Sequence, residues 1–389
     1  MNKIKKAAVT VLLLASLPLA ACQKRAGVPA QTEAEQTKAE QTKAEQTKAA
    51  QTESETGVGR GDSYHYLSHI NVRCQDNKTV SVGLSMDPVP EEYMRQPSRH
   101  GRLEKFYYET NTYGLYGREE EKIKKYAEVY LPYGYDESEK YNVIYLMHGA
   151  GGTPERFFGS ADKPRDFKYI VDNMIDRGSI QPAIFVSLTY YPERGMDHEE
   201  DWDAQYTKYY YQELRNDVLP QVESHYSTYA ESVDEQGLKD SRWHRTFGGF
   251  SMGGVTAFYR LTDCLDYFHS FLAMSGSLYW GPDAMESGAG QDFGARYIME
   301  AAADQGYTKD DFFLYTCTGS KDFARDIMER QIAGQKDHPE FFSYGEDGET
   351  ANTAFLIADG EEHHGSHGTN RYLYNALPIF SAIMGGQDQ

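Results

Sequence analysis

A serine flanked by glycines is the strongest chemical signal in this sequence. Residues Gly249–Gly254 read GFSMGG, which places Ser251 at the centre of a G-x-S-x-G pattern. A strand that reverses into a helix within so few residues leaves no room for side chains beside the serine, and glycine meets this requirement. Arg245–Gly249 has the pattern of a strand and Gly253–Arg260 that of a helix. The pattern predicts that Ser251 is a nucleophile, and a structural tight turn is the alternative.

A serine hydroxyl needs a general base, and the base needs an acid that orients it. Where a serine turn of this kind joins a strand to a helix, the chain order is serine, acid, histidine. The candidate bases lie in one loop, Gly360–Gly368, which follows an apolar segment with strand character. Of its three histidines we favour His364, and His363 and His367 are the alternatives. Together with two neighbouring glutamates, these histidines could instead bind a metal ion.

The orienting acid is predicted to be Asp322. It follows the strand-like segment Phe312–Thr316, so it is expected at the carboxyl end of a strand, within reach of a histidine on the next strand's loop. A helix N-cap is the alternative role for this aspartate.

Acyl transfer also needs N–H donors for the developing oxyanion, commonly two from the backbone. One is expected from Met252, directly after the serine. The other is expected from the segment HGAGG that follows the apolar run Tyr141–Met147, with Ala150 and Gly151 as equal candidates. His148, which opens this segment, is predicted to shape the loop rather than to transfer protons.

A regular scaffold is predicted around these residues. Strands are expected at 106–108, 127–131, 141–147, 183–188, 247–250, 271–274, 312–316 and 354–357. Helices are expected at 167–176, 328–334 and 372–384, and at 209–226 with a kink or break at Pro220. Strands that alternate with helices predict an α/β fold with a mostly parallel central sheet and helices on both faces. Sites of such sheets lie at the carboxyl ends of the strands.

The N-terminus predicts export and lipid attachment. Residues 1–22 combine a basic start, an apolar stretch and the sequence LAAC, which resembles a bacterial lipobox ending at Cys22. A lipid on Cys22 would anchor the protein at the extracellular face of the cell membrane, and cleavage with release is the alternative. Residues 23–61 repeat QTKAE and predict a disordered linker. Residues 62–100 form an extension without a clear pattern, and residues 101–389 form the predicted catalytic domain.

Composition argues against several classes of protein. A formal net charge of −20 disfavours nucleic acid as a partner. Four cysteines in 389 residues exclude a disulfide-dense scaffold, and Cys264 and Cys317 are predicted to be free and buried. After residue 22, no apolar run in the sequence is long enough to span a bilayer.

Five segments occur in an order typical of one enzyme family. They read YLPYGYD at 130–136, YLMHG at 145–149, FGGFSMGG at 247–254, TGSKD at 318–322 and YLYNALP at 372–378. Together they resemble the esterase D-like α/β-hydrolases of carbohydrate esterase family one, which include bacterial feruloyl and acetylxylan esterases. The resemblance implies an α/β-hydrolase fold and a triad of Ser251, Asp322 and His364, whose distance from residues 372–374 fits the family pattern. One departure is that GSHG follows His364, where the family usually carries aromatic residues.

The resemblance implies a serine esterase that hydrolyses ester substituents on plant cell-wall polysaccharide through an acyl-enzyme, most readily feruloyl esters of xylan. No metal or organic cofactor is expected. Tyr190, Tyr191 and Trp280 are candidates for lining the acyl pocket, with packing as their alternative role. Other functions within this fold are an acetylxylan or small-acyl carbohydrate esterase, a siderophore esterase and an acyltransferase. A non-catalytic ligand-binding lipoprotein is the alternative from a different class.

Overall fold

The computed structural model describes residues 67–113, 120–192, 200–287, 290, 292–364 and 366–385. The predicted export segment, Cys22 and the predicted linker at 23–61 lie outside the described residues. The described residues belong to one compact unit, which spans His65–Gln389.

Eight strands form the central sheet of the described part. In spatial order they are β13 (Thr353–Ala358), β11 (Phe313–Gly319), β10 (Ser270–Met274), β9 (Arg245–Phe250), β5 (Asn142–Met147), β8 (Ala183–Leu188), β4 (Lys122–Leu131) and β3 (Arg102–Asn111). The first six are parallel to one another, and β4 and β3 add two antiparallel strands at one edge. The prediction of a mostly parallel sheet is confirmed.

Two small sheets accompany the central one. The first joins β1 (His69–Arg73), β2 (Thr79–Gly83) and β12 (Thr350–Ala351), and the second pairs β6 (Gly159–Ser160) with β7 (Lys163–Pro164).

Helices cover both faces of the central sheet. They are α1 (Asp166–Asp176), α2 (Glu200–Tyr209), α3 (Tyr211–Glu213), α4 (Leu219–His225), α5 (Glu235–Asp240), α6 (Met252–Asp263), α7 (Pro282–Ser287), α8 (Phe293–Asp304), α9 (Arg325–Lys336) and α10 (Ser366–Ile383). Short 3-10 turns lie at Glu91–Met94, Pro154–Arg156, Arg242–His244, Leu278–Trp280, Lys309–Asp311 and Glu346–Gly348.

The central strands are buried on both faces, which explains why β5 and β8 are largely apolar in sequence. In β5, Tyr145 packs into the cluster on the α6 face, whereas Ile144 and Leu146 pack into the cluster that contains α1 and α10. All six residues of β5 are buried. The sheet is therefore the middle layer of a three-layer sandwich.

The helix predicted at 209–226 is interrupted. The structure has α2, α3, a π-helical turn at Leu214–Val218 and then α4. Pro220 lies two residues after this turn in a continuous helical backbone, where it has no N–H to donate to the preceding turn. The kink or break predicted at Pro220 is instead a π-helical turn just before the proline, and the helical backbone continues through it.

The N-terminal extension is part of the same unit as the central sheet. Asn375 on α10 accepts hydrogen bonds from the Ser85 hydroxyl at 2.8 Å and the Asp87 N–H at 3.1 Å. Its amide in turn donates to the Asp87 carbonyl at 2.9 Å. These contacts hold the extension against α10, which the sequence did not predict.

Cys74, Cys264 and Cys317 are buried free thiols, which confirms the prediction for the last two. Among the described residues, the structure has no helix that is both long and apolar enough to cross a membrane.

Candidate active site

Ser251 occupies the sharp turn between β9 and α6. Its backbone has φ 58° and ψ −120°, a conformation that L-residues rarely adopt. A side chain on Gly249 would bring its Cβ within 2.2 Å of the Gly253 carbonyl oxygen. A Cβ on Gly253 would lie 2.1 Å from the Met147 carbonyl oxygen at the end of β5. The steric argument that predicted a nucleophilic turn at Ser251 is therefore met by this structure.

The residue that contacts Ser251 is His363. Its Nε2 lies 2.9 Å from the Ser251 Oγ, and its Nδ1 lies 2.8 Å from the Asp322 Oδ1. Since a carboxylate only accepts, Nδ1 carries the proton, and Nε2 is left to accept from the serine hydroxyl. The three side chains form one continuous chain of hydrogen bonds.

The preference for His364 as the base is wrong. His364 is the next residue along the loop, and its side chain is exposed, whereas that of His363 is only 6% exposed. Of the two adjacent side chains, only that of His363 contacts Ser251. His367, the other alternative, is also unsuited because its Nδ1 pairs with the Glu361 carboxylate and its side chain is 68% exposed.

Asp322 lies on the loop after β11, at the carboxyl end of the sheet as predicted. Its Oδ1 also accepts the Ala324 N–H at 2.7 Å, just before α9. Burial alone would raise the pKa of the Asp322 carboxyl, but hydrogen bonds from His363, Ser275 and Ala324 hold it below its ordinary value. Asp322 is therefore a carboxylate at neutral pH, able to stabilise a positive charge on His363.

The segment after β5 runs directly beside the serine. A Cβ on Gly149 would lie 2.9 Å from the Ser251 Cβ, so this backbone can approach only as glycine. The Gly151 N–H is engaged, because it donates to the Tyr191 hydroxyl at 2.8 Å. In the described part of the chain, neither the Met252 N–H nor the Ala150 N–H has a hydrogen-bond partner. Of the two equal candidates from this segment, the structure therefore favours Ala150 over Gly151.

His148 has a structural role, as predicted. Its Nε2 lies 2.7 Å from the Thr189 hydroxyl, and its Nδ1 lies 2.7 Å from the Gly149 carbonyl oxygen. The ring is fully buried and fixes the segment that follows β5.

Aromatic side chains surround the His363 ring. The centroid of Phe323 lies 4.0 Å from it, that of Phe250 4.9 Å and that of Trp280 6.3 Å. Phe323 is 64% exposed, a high value for so large an apolar side chain. Sequence reasoning identified Trp280 but missed Phe323, whose signal was its position directly after the predicted catalytic aspartate. Together they form an apolar wall beside the triad.

The two tyrosines predicted to line the acyl pocket are not part of this aromatic wall. Tyr190 is 3% exposed and packs against the His148 ring at 4.9 Å, which makes it a packing residue. Tyr191 is also buried, and its hydroxyl donates to the Asp203 carboxylate at 2.5 Å while accepting from Gly151. Tyr191 therefore positions the segment after β5, and the prediction that either tyrosine lines the acyl pocket is not supported.

The alternative role of the histidine loop, binding of a metal ion, is not supported by the described part of the chain. His363 and His367 have different partners, and no group of three or more suitable side chains converges there.

Comparison with known proteins places the chain in a family. The model of the Esterase family matches residues 121–336, more than half of the 389 residues. The chain belongs to this esterase family. The matched region of the esterase includes Ser251, Asp322 and the segment after β5, but it ends before His363.

A curated relative of this esterase is endo-1,4-beta-xylanase Y of Acetivibrio thermocellus, 38% identical over 293 residues. The alignment covers 75% of this chain but only 24% of the xylanase, so the chain spans about a quarter of that protein.

Solved structures agree with this placement. A serine-to-alanine mutant of the feruloyl esterase module from Clostridium thermocellum, complexed with sinapinate, is 34% identical, with a TM-score of 0.65. That match covers 84% of this chain and 99% of the module. A ferulic acid esterase from the anaerobic fungus Anaeromyces mucronatus is 18% identical over 78% of this chain and 99% of its own, with a TM-score of 0.54, and supports the α/β-hydrolase fold alone.

Proposed function

We propose that this protein is a serine esterase that releases feruloyl groups from xylan. The observation that carries the proposal is the hydrogen-bonded chain Ser251–His363–Asp322 at the carboxyl edge of the sheet. A serine with its base and orienting acid in line is the machinery of acyl transfer. The feruloyl substrate is supported by the names of the relatives, one a xylanase and one a feruloyl esterase module.

The geometry suits a two-step acyl transfer. The Ser251 oxygen attacks the ester carbonyl carbon while His363 Nε2 takes the hydroxyl proton, and Asp322 stabilises the resulting imidazolium. The N–H groups of Met252 and Ala150 stabilise the oxyanion. The bond to the sugar oxygen then breaks, and His363 returns the proton to that leaving oxygen. Water, deprotonated by His363, attacks the acyl-serine and releases the acid.

The wall beside the triad supports an aromatic acyl group. Phe323 and Trp280 lie 5.9 Å apart by ring centroids, and both rings neighbour His363. A phenolic ring placed against these two side chains would bury its own apolar area and part of theirs. An acetyl group is too small to bury a comparable area. This contact favours a feruloyl ester over an acetyl ester.

Hydrolysis of methyl ferulate tests the proposal, run beside an acetyl ester and with the Ser251→Ala protein as the blank. We expect ferulate release that the substitution abolishes and that exceeds acetate release. Acetate release alone would keep the triad and reject the feruloyl substrate. Absence of Ser251-dependent turnover of either ester would reject the proposal and favour a binding lipoprotein or another esterase substrate.

We also propose that the protein acts outside the cell, held at the membrane by a lipid on Cys22. The sequence LAAC at residues 19–22 supports this placement. In a bacterial host fed labelled fatty acid, the wild-type protein should carry the label in the membrane fraction, and Cys22→Ala should not. Equal labelling of both proteins would reject lipid attachment at Cys22.

A further inference from the structure

A cavity of about 390 Å³ opens on the same edge of the sheet as Ser251. Its lining comes from the segment after β5 (Gly152 to Pro154), the segment after β8 (Thr189, Tyr191 and Pro192) and the start of β4 (Ile123 to Tyr126). The cavity has the size of small-molecule binding pockets in general. None of the three triad residues lines it.

The strand order fixes where this cavity lies relative to the triad. Ser251 follows β9, and the neighbouring strands on one side are β5, β8 and β4. Neighbouring strands are ~4.8 Å apart, which puts the cavity roughly 10–15 Å from the serine. Trp280 and Phe323 follow β10 and β11, on the other side of Ser251. An ester whose aromatic acyl group contacts Trp280 and Phe323 can therefore extend its alcohol part along the edge toward the cavity.

The lining combines aromatic rings with hydrogen-bonding groups. Tyr126 and Tyr191 contribute rings, and Thr153, Thr189 and the exposed Lys124 contribute polar groups. Just outside, Tyr107 on β3 lies beside Tyr126, with ring centroids 5.8 Å apart, and is 60% exposed. A sugar ring has an apolar C–H face, which packs on aromatic rings, and a rim of hydroxyls, which bind hydrogen-bonding groups. The lining therefore matches both parts of a sugar.

The tyrosines of the cavity are already fixed by the protein. The Tyr126 hydroxyl donates to Glu155 at 3.0 Å, and the Tyr191 hydroxyl is held between Gly151 and Asp203. Lys125, which also lines the cavity, pairs with the buried Glu213 at 2.8 Å. Rings that are held before a ligand arrives lose little conformational entropy on binding. The Lys125 charge is paired internally, which leaves Lys124 as the one exposed charged side chain among the residues that line the cavity.

We propose that this cavity, extended by Tyr107, binds sugar residues of the neutral polysaccharide chain that carries the ester. The inference rests on the proposed esterase function, because it assigns the cavity to the alcohol part of the same substrate. It adds a recognition site for the glycan that is separate from the triad and from the aromatic wall.

Binding of unesterified xylo-oligosaccharide tests this site without catalysis. The probe is titrated into the full-length Ser251→Ala protein by calorimetry, and into the same protein with Tyr107→Ala or Tyr126→Ala added. We expect saturable binding that each added substitution weakens about 3- to 10-fold, as for the loss of one aromatic contact. Tyr126→Phe should retain binding, because it keeps the ring. Tyr133→Ala is the matched control, since Tyr133 is 57% exposed and does not line this cavity.

A second readout compares two substrates with active protein. The ratio of kcat/KM on a feruloylated xylo-oligosaccharide to kcat/KM on methyl ferulate should fall about 3- to 10-fold in Tyr107→Ala and stay constant in Tyr133→Ala. The proposal is overturned if the oligosaccharide does not bind, or if Tyr107→Ala leaves both its affinity and this ratio unchanged. If methyl ferulate is not hydrolysed while the oligosaccharide still binds, the esterase function fails and the glycan site stands.

Discussion

Ser251 and His363 share a hydrogen bond, yet the chain holds the two residues in place by different means. The serine turn is fixed by contacts of the backbone. Gly249 and Gly253 lie so close to neighbouring carbonyl oxygens that no side chain fits at either position. The Ser251 N–H also donates to the Met274 carbonyl at 2.8 Å, which ties the turn to β10. These constraints leave a readable pattern of glycines in the sequence.

The histidine loop is fixed by side chains in addition to backbone contacts. The Glu361 carboxylate accepts a hydrogen bond from Arg371 on α10 at 3.2 Å, and Arg371 also donates to the carbonyl of Asp359 at 2.9 Å and to that of Met86 at 2.8 Å. The Glu361 carbonyl accepts the Lys321 N–H at 3.0 Å. The loop is thus held between α10, the N-terminal extension and the loop that carries Asp322.

This difference explains which half of the site the sequence could predict. A backbone constraint demands one residue type at a fixed spacing, whereas a loop held by side chains can be built from many residue combinations. We expect substitutions to reveal the same contrast. At the serine turn they should lower stability through steric conflict, and at the histidine loop they should lower kcat through misplacement of His363.

The largest effect should separate His363 from His364. His363→Ala should lower kcat on methyl ferulate by about 10⁴- to 10⁶-fold, because the serine loses its base. His364→Ala should change kcat by less than about threefold, since an exposed side chain outside the hydrogen-bonded chain contributes little. Steady-state kinetics on the two purified proteins measures both values.

Circular dichroism melts serve as the control in this comparison, because both variants must be folded for the kinetics to be compared. A large loss of kcat in His364→Ala together with near-normal kcat in His363→Ala would contradict the geometry of the loop and support His364 as the base.

The fold was largely predictable, and the choice among the histidines was not. The strand at 183–188 was predicted with the bounds that the structure gives, because an apolar run of 6 residues that follows a proline is too short for a typical helix. His363 and His364 are adjacent and chemically identical, so sequence offered no physical reason to prefer the buried one. Phe323 was missed for a similar reason, since an exposed aromatic has no periodicity that marks it. The choice between the histidines and the role of Phe323 both depend on the direction in which a loop side chain points.

A smaller effect, on stability rather than chemistry, should follow from Gly253→Ala. The new Cβ would meet the Met147 carbonyl oxygen, part of a buried strand that cannot move aside. We expect a loss of about 3 kcal/mol in the free energy of unfolding, as for overpacking at a rigid site. Thermal melts should show a Tm lowered by ~6 °C or more. Gly83→Ala is the matched control, because a Cβ there meets nothing within 4 Å. Equal Tm values for the two variants would refute the steric account of the serine turn.

The smallest effect should come from Arg371→Gln, which weakens the support of the histidine loop without touching the triad. The substitution removes the charge that pairs with Glu361 and the donors to Met86 and Asp359. A His363 ring held less firmly is in line with Ser251 for less of the time. We expect kcat to fall about 3- to 10-fold, which corresponds to ~1 kcal/mol, while KM changes by less than about twofold.

The split between kcat and KM distinguishes positioning from general destabilisation, because a partly unfolded protein loses active sites and stability together. Arg296→Gln is the matched control, since Arg296 pairs with Asp292 at 2.9 Å on the protein surface and is 60% exposed. If Arg371→Gln retains the kcat of wild type, the loop is held by its contacts with the Asp322 loop, such as the bond between the Glu361 carbonyl and the Lys321 N–H. The histidine loop and the serine turn would then share one mode of support, and the contrast between them would reduce to how visible each is in the sequence.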